Sequence, residues 1–352
     1  MTDNDAAASQ IPNHPQNSGD TIHAALTVHD PSGKYSQHAG VVMASIFENT
    51  KSKVTVHILH DETLTEDNRR KFIRTAEKYS QGLELHDVTE YRNHISENII
   101  NFLTGNNFTV GSLYRLALQD IVQLDKVIYL DCDIVVNMDI RELWEIDTDG
   151  KYIAAVPDEG VTGKTIFSRD RIRNFINGCN SPYINSGVLV MNLKEIHGRG
   201  DFFTEAAQWM KSHLYSIDYA DQDAYNVLFS GSIKLMDKKF NRQFTRFTFF
   251  DGSDLSDTII HNIWPKPWKA VSRDKNCMLY WEMLMKSAWG ENLSPADVVR
   301  IIADIYSSSP EYHRTTGQCV LYAFYKYLSI LFDFFGTPTM LIKHIYHRLT
   351  RR

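Results

Sequence analysis

The sequence predicts an α/β fold, a mixed and mostly parallel sheet flanked by helices, followed by a helical C-terminal extension. Three observations carry that prediction. From residue 23 onward, short β-type runs alternate with stretches of helical periodicity, the signature of βαβ units. An oily run, "KVIYL", leads into a pair of aspartates, Asp131 and Asp133, where open α/β sheets place their ligands. Beyond about residue 276 the pattern turns helical and aromatic.

Taken in order, "HAALTV" (23–28) is the first strand and 38–49 the first helix. "KVTVHIL" (53–59) is the second strand, and 64–79 a helix with Phe72, Ile73 and Ala76 at apolar spacing. "LELHDV" (83–88) is the third strand, 111–122 is helical, and "KVIYLDCDIVV" is either the fourth strand throughout or a strand with its exit loop. Further strands are expected at "YIAAVPD" (152–158), "YINSGVLVMNL" (183–193) and "SIKLMD" (232–237), with helices over 201–215 and 221–229. The Gly and Pro of "FGTPT" (335–339) divide two C-terminal helices. No internal repeat is visible.

The chain has 352 residues, 43% of them hydrophobic, so it can bury a substantial core and one large domain with an appendage, or two domains. We divide it into a leader (1–20), a main domain (21–270) and a helical C-terminal region (271–352). The net charge of −6 provides no global attraction to nucleic acid, which is excluded as a partner. The cysteines, Cys132, Cys179, Cys277 and Cys319, are far apart and form no CxxC pair. That pattern suggests neither a disulfide framework nor a thiolate zinc site and fits a reducing cytoplasm. The first 20 residues lack the basic and apolar regions of a signal peptide and read as a disordered leader. No apolar run reaches the roughly 18–20 residues of a membrane span. The stretch 320–335, interrupted by Lys326 and Asp333, is followed by Lys343, Arg348, Arg351 and Arg352. It has two readings: peripheral contact with the inner face of the cytoplasmic membrane, or a packed helix with a solvated basic end.

On an extended strand, residues i and i+2 share a face, so Asp131 and Asp133 would point together and Cys132 away, into the core. Two carboxylates side by side repel unless a cation sits between them or one is protonated. Hard oxygen ligands suit Mg²⁺ or Mn²⁺, which bridge to substrate phosphates. The plainer alternative is one Asp capping a turn and the other solvated. Two enzyme classes compete. A phosphatase of the haloacid-dehalogenase type uses the first Asp as nucleophile. It carries the motif on its first strand and needs a later acidic GDxxxD-like element, whereas here three strands precede the motif and no such element follows. A nucleotide-sugar transferase places DxD after a nucleotide-binding half, which is the order found.

Five motifs in order strengthen the second class: "LYRLAL" (113–118), "LDKVIYLDCDIVV" (124–136), "YINSGVLVMNL" (183–193), "DQDAYN" (221–226) and "IIHNIWPKPW" (259–268). Across roughly residues 23–270 the chain resembles the retaining glycosyltransferases of family 8, which have the GT-A (Rossmann-like) fold. Its C-terminal part is similar to that of bacterial lipopolysaccharide glucosyl- and galactosyltransferases in that family. The resemblance implies that Asp131 and Asp133 bind Mn²⁺ with the donor diphosphate and that His261 is the third protein ligand. An imidazole beside two carboxylates suits Mn²⁺ better than Mg²⁺, which stays open. Lys266 matches a lysine on the diphosphate, where an ammonium and a metal stabilise a departing UDP. Arg115 matches an arginine near the donor, the alternative being a surface or capping role.

Asn185, Asp221 and Gln222 match positions around the transferred sugar, with Asp158 a further candidate. Small Ser186 and Gly187 would let a backbone and a ring approach closely. Asp221 can also cap the helix that follows it. Thr27 and Cys132 complete the donor-side set. His29 aligns with the family's uridine-contacting acidic residue, with Asp30 beside it. An inserted "PSG" then separates them from Tyr35, which matches a tyrosine near uracil. Trp264 replaces the family's glycine three residues after the histidine, narrowing the pocket or stacking on a sugar.

The resulting expectation is a metal-dependent transferase moving glucose or galactose from UDP-glucose or UDP-galactose to an oligosaccharide or glycolipid acceptor, in lipopolysaccharide or surface-glycan synthesis. Retaining hydrolases use a nucleophilic carboxylate about 5–5.5 Å from the acid/base. The amide of Gln222 is a poor nucleophile, so a front-face route is expected, with Asp221 as transient nucleophile the alternative. The competing classes are a non-catalytic sugar-nucleotide or lipid-binding protein of the same fold and, further back, a DxD phosphohydrolase.

Overall fold

The apolar runs along the first half of the chain become strands with both faces covered, which is why they read as continuous rather than alternating. The computed structural model describes residues 21–105, 108–159, 182–214, 217, 219–245, 254–272 and 274–308. In chain order the strands are β1 (Ile22–Val28), β2 (Val54–His60), β3 (Gly82–Asp87), β4 (Lys126–Leu130), β5 (Ile134–Asn137), β6 (Ile153–Pro157), β7 (Ile184–Asn192), β8 (Ile233–Leu235), β9 (Arg242–Phe244) and β10 (Thr258–Asn262). The main sheet runs β3-β2-β1-β4-β7-β6-β8. Strands β1 to β4 are parallel, β7 enters antiparallel between β4 and β6, and β8 is parallel to β6. A second, smaller sheet has the order β5-β10-β9. The mixed, mostly parallel architecture expected from the sequence is the one found.

Alternation along the strands feeds two cores. Ala24, Leu26, Val28, Val56, Ile58, Ile128 and Leu130 pack against Val42, Met43 and Ile46 of the helix Ser36–Asn49 and Phe72 of the helix Glu66–Lys78. Ala25, Leu59, Val127 and Tyr129 pack on the other face, against Leu113, Phe202 and Tyr225. The helix Glu66–Lys78 is bounded as its residue types require. Thr65 accepts a hydrogen bond from the Asn68 N–H, Glu66 and Asp67 lie in the first turn, and Lys78 lies in the last.

The structure corrects one expectation that matters. The run "KVIYLDCDIVV" is not one strand: β4 ends at Leu130, residues 131–133 form a turn, and β5 peels away into the second sheet. The aspartates therefore do not converge by strand alternation. The helix expected at 111–122 resolves into a 3₁₀ helix, Val110–Ala117, and a short α-helix, Leu118–Ile121. The helix Lys275–Lys286 buries Cys277, Tyr280, Met283 and Leu284, and packs on the helix Ser36–Asn49. Helix Pro295–Ser308 buries none of its residues. The leader, the aromatic stretch 320–335, the break at 335–339 and the terminal basic residues lie outside the described residues. Among the described residues, no helix is long and apolar enough to cross a membrane.

Candidate active site

The turn at residues 131–133 is pinned from both sheets. The Asp131 N–H donates to the Gly187 carbonyl at 2.9 Å, extending the β4–β7 pairing. The Asn262 N–H donates to the Asp133 carbonyl at 2.9 Å, tying the far side of the turn to β10. The β5–β10 register sets His261 opposite Ile134, one residue past the turn. Asp131, Asp133 and His261 thus offer ligand atoms within 4.8 Å of one another.

The His261 ring sits over the β7 backbone. A Cβ on Gly187 would come within 2.3 Å of His261 Cε1, so this glycine is required where it stands. At Gly187 the lack of a side chain admits the imidazole. His261 Nδ1 lies 3.0 Å from Asn241 Oδ1, whose amide nitrogen donates to Asn185 Oδ1 at 2.8 Å. That orientation of Asn241 puts the imidazole proton on Nδ1 and leaves the Nε2 lone pair facing Asp133. Asp133 Oδ1, 3.1 Å from Nε2, is buried without a hydrogen-bond partner. Two acceptors face each other with no proton between them, an arrangement that a cation satisfies. Carboxylate oxygens with one imidazole fit a divalent ion such as Mn²⁺ or Mg²⁺.

Asp133 also pairs with Lys266 through its other oxygen. Burial pushes the Asp133 carboxyl up, but its neighbours Lys266 and then His261 together outweigh it and hold the group well below the usual carboxylate range. Asp131 Oδ1 accepts from Arg115 Nη2 at 2.8 Å and from the Tyr129 hydroxyl at 2.8 Å. Thr27 Oγ1 stands 3.2 Å from that hydroxyl, placing it behind Asp131. Cys132 turns into the core and donates to the Thr27 carbonyl.

Arg115 is neither on the surface nor a cap. Its buried guanidinium lies 4.3 Å from the centre of the Tyr129 ring, donates to the Ser186 carbonyl at 2.7 Å, and reaches Asp221 Oδ2 at 3.3 Å. It therefore pairs with Asp131 and Asp221 at once. Burial pushes Asp221 up to about 6, against the pull of Arg115 and with added repulsion from Asp131. Gln222 Oε1 accepts the Ser186 N–H at 3.1 Å, and its Nε2 donates to Asp158 at 3.1 Å. Asn185 Nδ2 donates to the same Asp158 oxygen at 3.0 Å, so Asp158, Asn185 and Gln222 form one buried polar wall.

On the first-strand side, His29 Nδ1 lies 2.5 Å from Asp61 Oδ2, which also accepts from the Tyr114 hydroxyl at 2.6 Å. Asp30 is spent on the chain itself. Its oxygens accept from the N–H groups of Tyr35 and Ser36, each at 2.8 Å, and from the hydroxyls of Ser36 and Ser32. It thereby folds the inserted "PSG" and satisfies backbone donors at the start of the helix Ser36–Asn49. Burial, then Cys132, Asp133 and Asp131, push the Tyr35 phenol well above its ordinary value, which marks its closeness to the turn. Trp264 is 37% exposed, and Trp268 stacks on His38 at 3.7 Å.

Three supporting residues escaped the sequence reading: Asp61, Asn241 and Tyr129. Tyr129 had a signal, since it lies two residues before Asp131 and shares its side of an extended chain. Asn241 had none, because it ends a four-residue 3₁₀ helix before the three-residue β9.

The chain is similar to known proteins in sequence and in fold. Residues 29–272 match the sequence profile of glycosyl transferase family 8. A lipopolysaccharide 1,2-glucosyltransferase from Escherichia coli is 30% identical over 217 residues, 60% of each chain. A lipopolysaccharide 1,3-galactosyltransferase from Salmonella typhimurium is 25% identical over 240 residues, 65% of this chain and 68% of that one. The chain thus spans about 60% of the length of the E. coli relative. The galactosyltransferase LgtC, solved with donor and acceptor sugar analogs, superposes with a TM-score of 0.64 at 22% identity, over 80% of this chain and 100% of LgtC. That likeness is one of fold, and the fold is GT-A.

Proposed function

Because the chain belongs to glycosyl transferase family 8, we propose that it is a metal-dependent retaining hexosyltransferase that uses UDP-glucose or UDP-galactose. The observation that carries the metal dependence is the buried, unpartnered Asp133 Oδ1 facing His261 Nε2 beside Asp131. Mn²⁺ or Mg²⁺ held there would supply Lewis-acid stabilisation to the diphosphate leaving group. Lys266, already beside Asp133, adds a second positive charge where negative charge develops on departing UDP. Arg115 keeps Asp131 and Asp221 in place, and Asp158, Asn185 and Gln222 present polar groups suited to sugar hydroxyls.

The route favoured is front-face. The bond from the anomeric carbon to the phosphate oxygen breaks, the acceptor oxygen bonds on the same face, and the acceptor proton passes to the phosphate. Gln222 is an amide and Asp221 is engaged by Arg115 and Ser186, so neither stands as a free nucleophile. A glycosyl adduct trapped on Asp221 would refute this route.

The acceptor class is a saccharide, oligosaccharide or glycolipid, with lipopolysaccharide or surface-glycan synthesis the proposed setting, in keeping with the names of the two relatives. We place the work on the cytoplasmic side, with residues 21–270 as the catalytic unit and 271–352 as a helical region contacting the inner membrane face. Unchanged liposome binding after deletion of 319–352 would remove the membrane part. The central test is a panel of UDP-glucose, UDP-galactose and UDP-N-acetyl sugars with core oligosaccharides, with and without Mn²⁺, comparing wild type with Asp133→Ala. Metal-dependent transfer lost in Asp133→Ala is expected. Metal-independent nucleotide-sugar binding without turnover, insensitive to that substitution, would instead make the chain a binding module.

A further inference from the structure

Strands β1 to β3 carry polar side chains that the proposed transfer does not use. His23 on β1, His57 on β2, and Glu84 and His86 on β3 share the parity of Ala25 and Leu59, so they lie on the sheet face opposite the helix Ser36–Asn49. The register sets His57 directly beside Glu84, with His86 two residues further along the same strand. Neighbouring strands stand about 4.8 Å apart, so such side chains meet at their tips.

Their geometry is that of a ligand set. His57 Nδ1 lies 3.0 Å from His86 Nε2 and 3.4 Å from Glu84 Oε2, and His86 Nε2 lies 3.6 Å from the same oxygen. Ligands held at about 2.0–2.1 Å around a tetrahedral zinc stand about 3.3–3.4 Å from one another. The observed triangle brackets that spacing. We propose that His57 Nδ1, His86 Nε2 and Glu84 Oε2 form a second metal site, taking a zinc-class divalent ion with water in the fourth position. The site is separate from the Asp131, Asp133 and His261 group and does not depend on the transferase reading.

Three further features support it. His57 Nε2 lies 3.0 Å from His23 Nδ1, and a hydrogen bond donated there leaves the Nδ1 lone pair toward Glu84 and His86, as a ligand requires. The His57 side chain is buried, so packing holds its ring in one place between the two neighbouring strands. The Glu84 side chain is 56% exposed on β3, the edge strand, which opens the site to solvent. Two imidazoles with a single carboxylate select zinc over the hard ions suited to an oxygen-rich site.

The test uses the full chain carrying Asp133→Ala, which disables the other ligand group. After chelator treatment, this protein is titrated with Zn²⁺ against a chromophoric chelator. Metal content is measured by mass spectrometry, and Co²⁺ reports the geometry by its visible spectrum. About one zinc per chain, a tetrahedral Co²⁺ spectrum and a zinc-dependent rise in Tm are expected. All three disappear when Glu84→Ala or His86→Ala is added, and His23→Ala weakens zinc binding about 10–100-fold. Glu84 is largely exposed, so its removal leaves the core packed, and circular dichroism verifies that. If the Asp133→Ala chain takes up no zinc, or takes up as much after Glu84→Ala and His86→Ala, only a metal-free chain of hydrogen-bonded imidazoles is present and the proposal falls.

Discussion

The group at the end of β4 and the group at the β3 edge each bring three ligand-type side chains within 4.8 Å, but by different means. At the β3 edge, sheet register alone does it: His57 and Glu84 are paired neighbours and His86 follows two residues later. At the end of β4, no register brings Asp131 to His261. A turn, two sheets and a glycine at 187 have to agree first. The chemistry differs accordingly. The turn group is rich in carboxylate and wired to Arg115 and Lys266, which suits a hard ion and a diphosphate; the edge group is rich in imidazole. A site assembled from distant parts can be broken from many places, whereas a register-built site is broken chiefly at its own ligands.

The largest effect is expected from removing a ligand at the turn. Asp133→Ala or His261→Ala should lower metal-dependent transfer by about 10²–10³-fold or more, measured as kcat/KM with saturating Mn²⁺, while an unaffected rate would detach the turn from catalysis. Next comes Gly187→Ala, which removes no ligand-type side chain but drives a methyl into the His261 ring. Transfer and Mn²⁺ affinity should both collapse while far-ultraviolet circular dichroism stays native, and full activity would show that the ring can move. Asn241→Ala should cost less, about 10–100-fold in Mn²⁺ affinity, because it frees the imidazole tautomer without removing a ligand. A purely structural role would change Tm and leave the Mn²⁺ affinity untouched.

The smallest effect concerns His38, an imidazole outside both groups that serves as their control. Stacked on Trp268 and hydrogen-bonded to Tyr280 at 2.6 Å, it is lowered to about 3, first by burial. Its folded value lies below its unfolded value of 6.5, so the unfolded chain binds the extra proton first. Stability is therefore complete above about pH 6.5 and falls as pH drops toward 3, by at most about 1.4 kcal/mol per pH unit. Denaturant melts across that window should be flatter for His38→Gln, and equal slopes would assign the acid loss elsewhere.

How much was readable follows from local against distant causes. Strands β1, β2, β4, β6 and β7 were legible because both of their faces are buried, and such strands appear as apolar runs, whereas the edge strand β3 was legible by its alternation of Leu83 and Leu85 with polar residues. β9 was not, since three residues show no period. The first turn of the helix Ser36–Asn49 was not legible either, because its backbone donors are met by Asp30 six residues away rather than by a local cap. In the site, residue types and order were readable through the family motifs. The roles of Arg115, Gly187 and Asp30 were not, since each depends on which neighbour the folded chain supplies.

By itself, then, the amino-acid order determined the α/β class, the two aspartates at a strand end, and the ordered motifs that place the chain in its family. Periodicity and short motifs are properties of adjacent residues, and they survive without a fold. Only the tertiary structure decided that the aspartates lie in a turn shared by two sheets, and that His261 rests on Gly187 with its proton held toward Asn241. It alone decided that one arginine serves both Asp131 and Asp221. Those outcomes depend on pairing between segments far apart in the chain, where hydrogen bonds and excluded volume choose among alternatives that local sequence leaves equal.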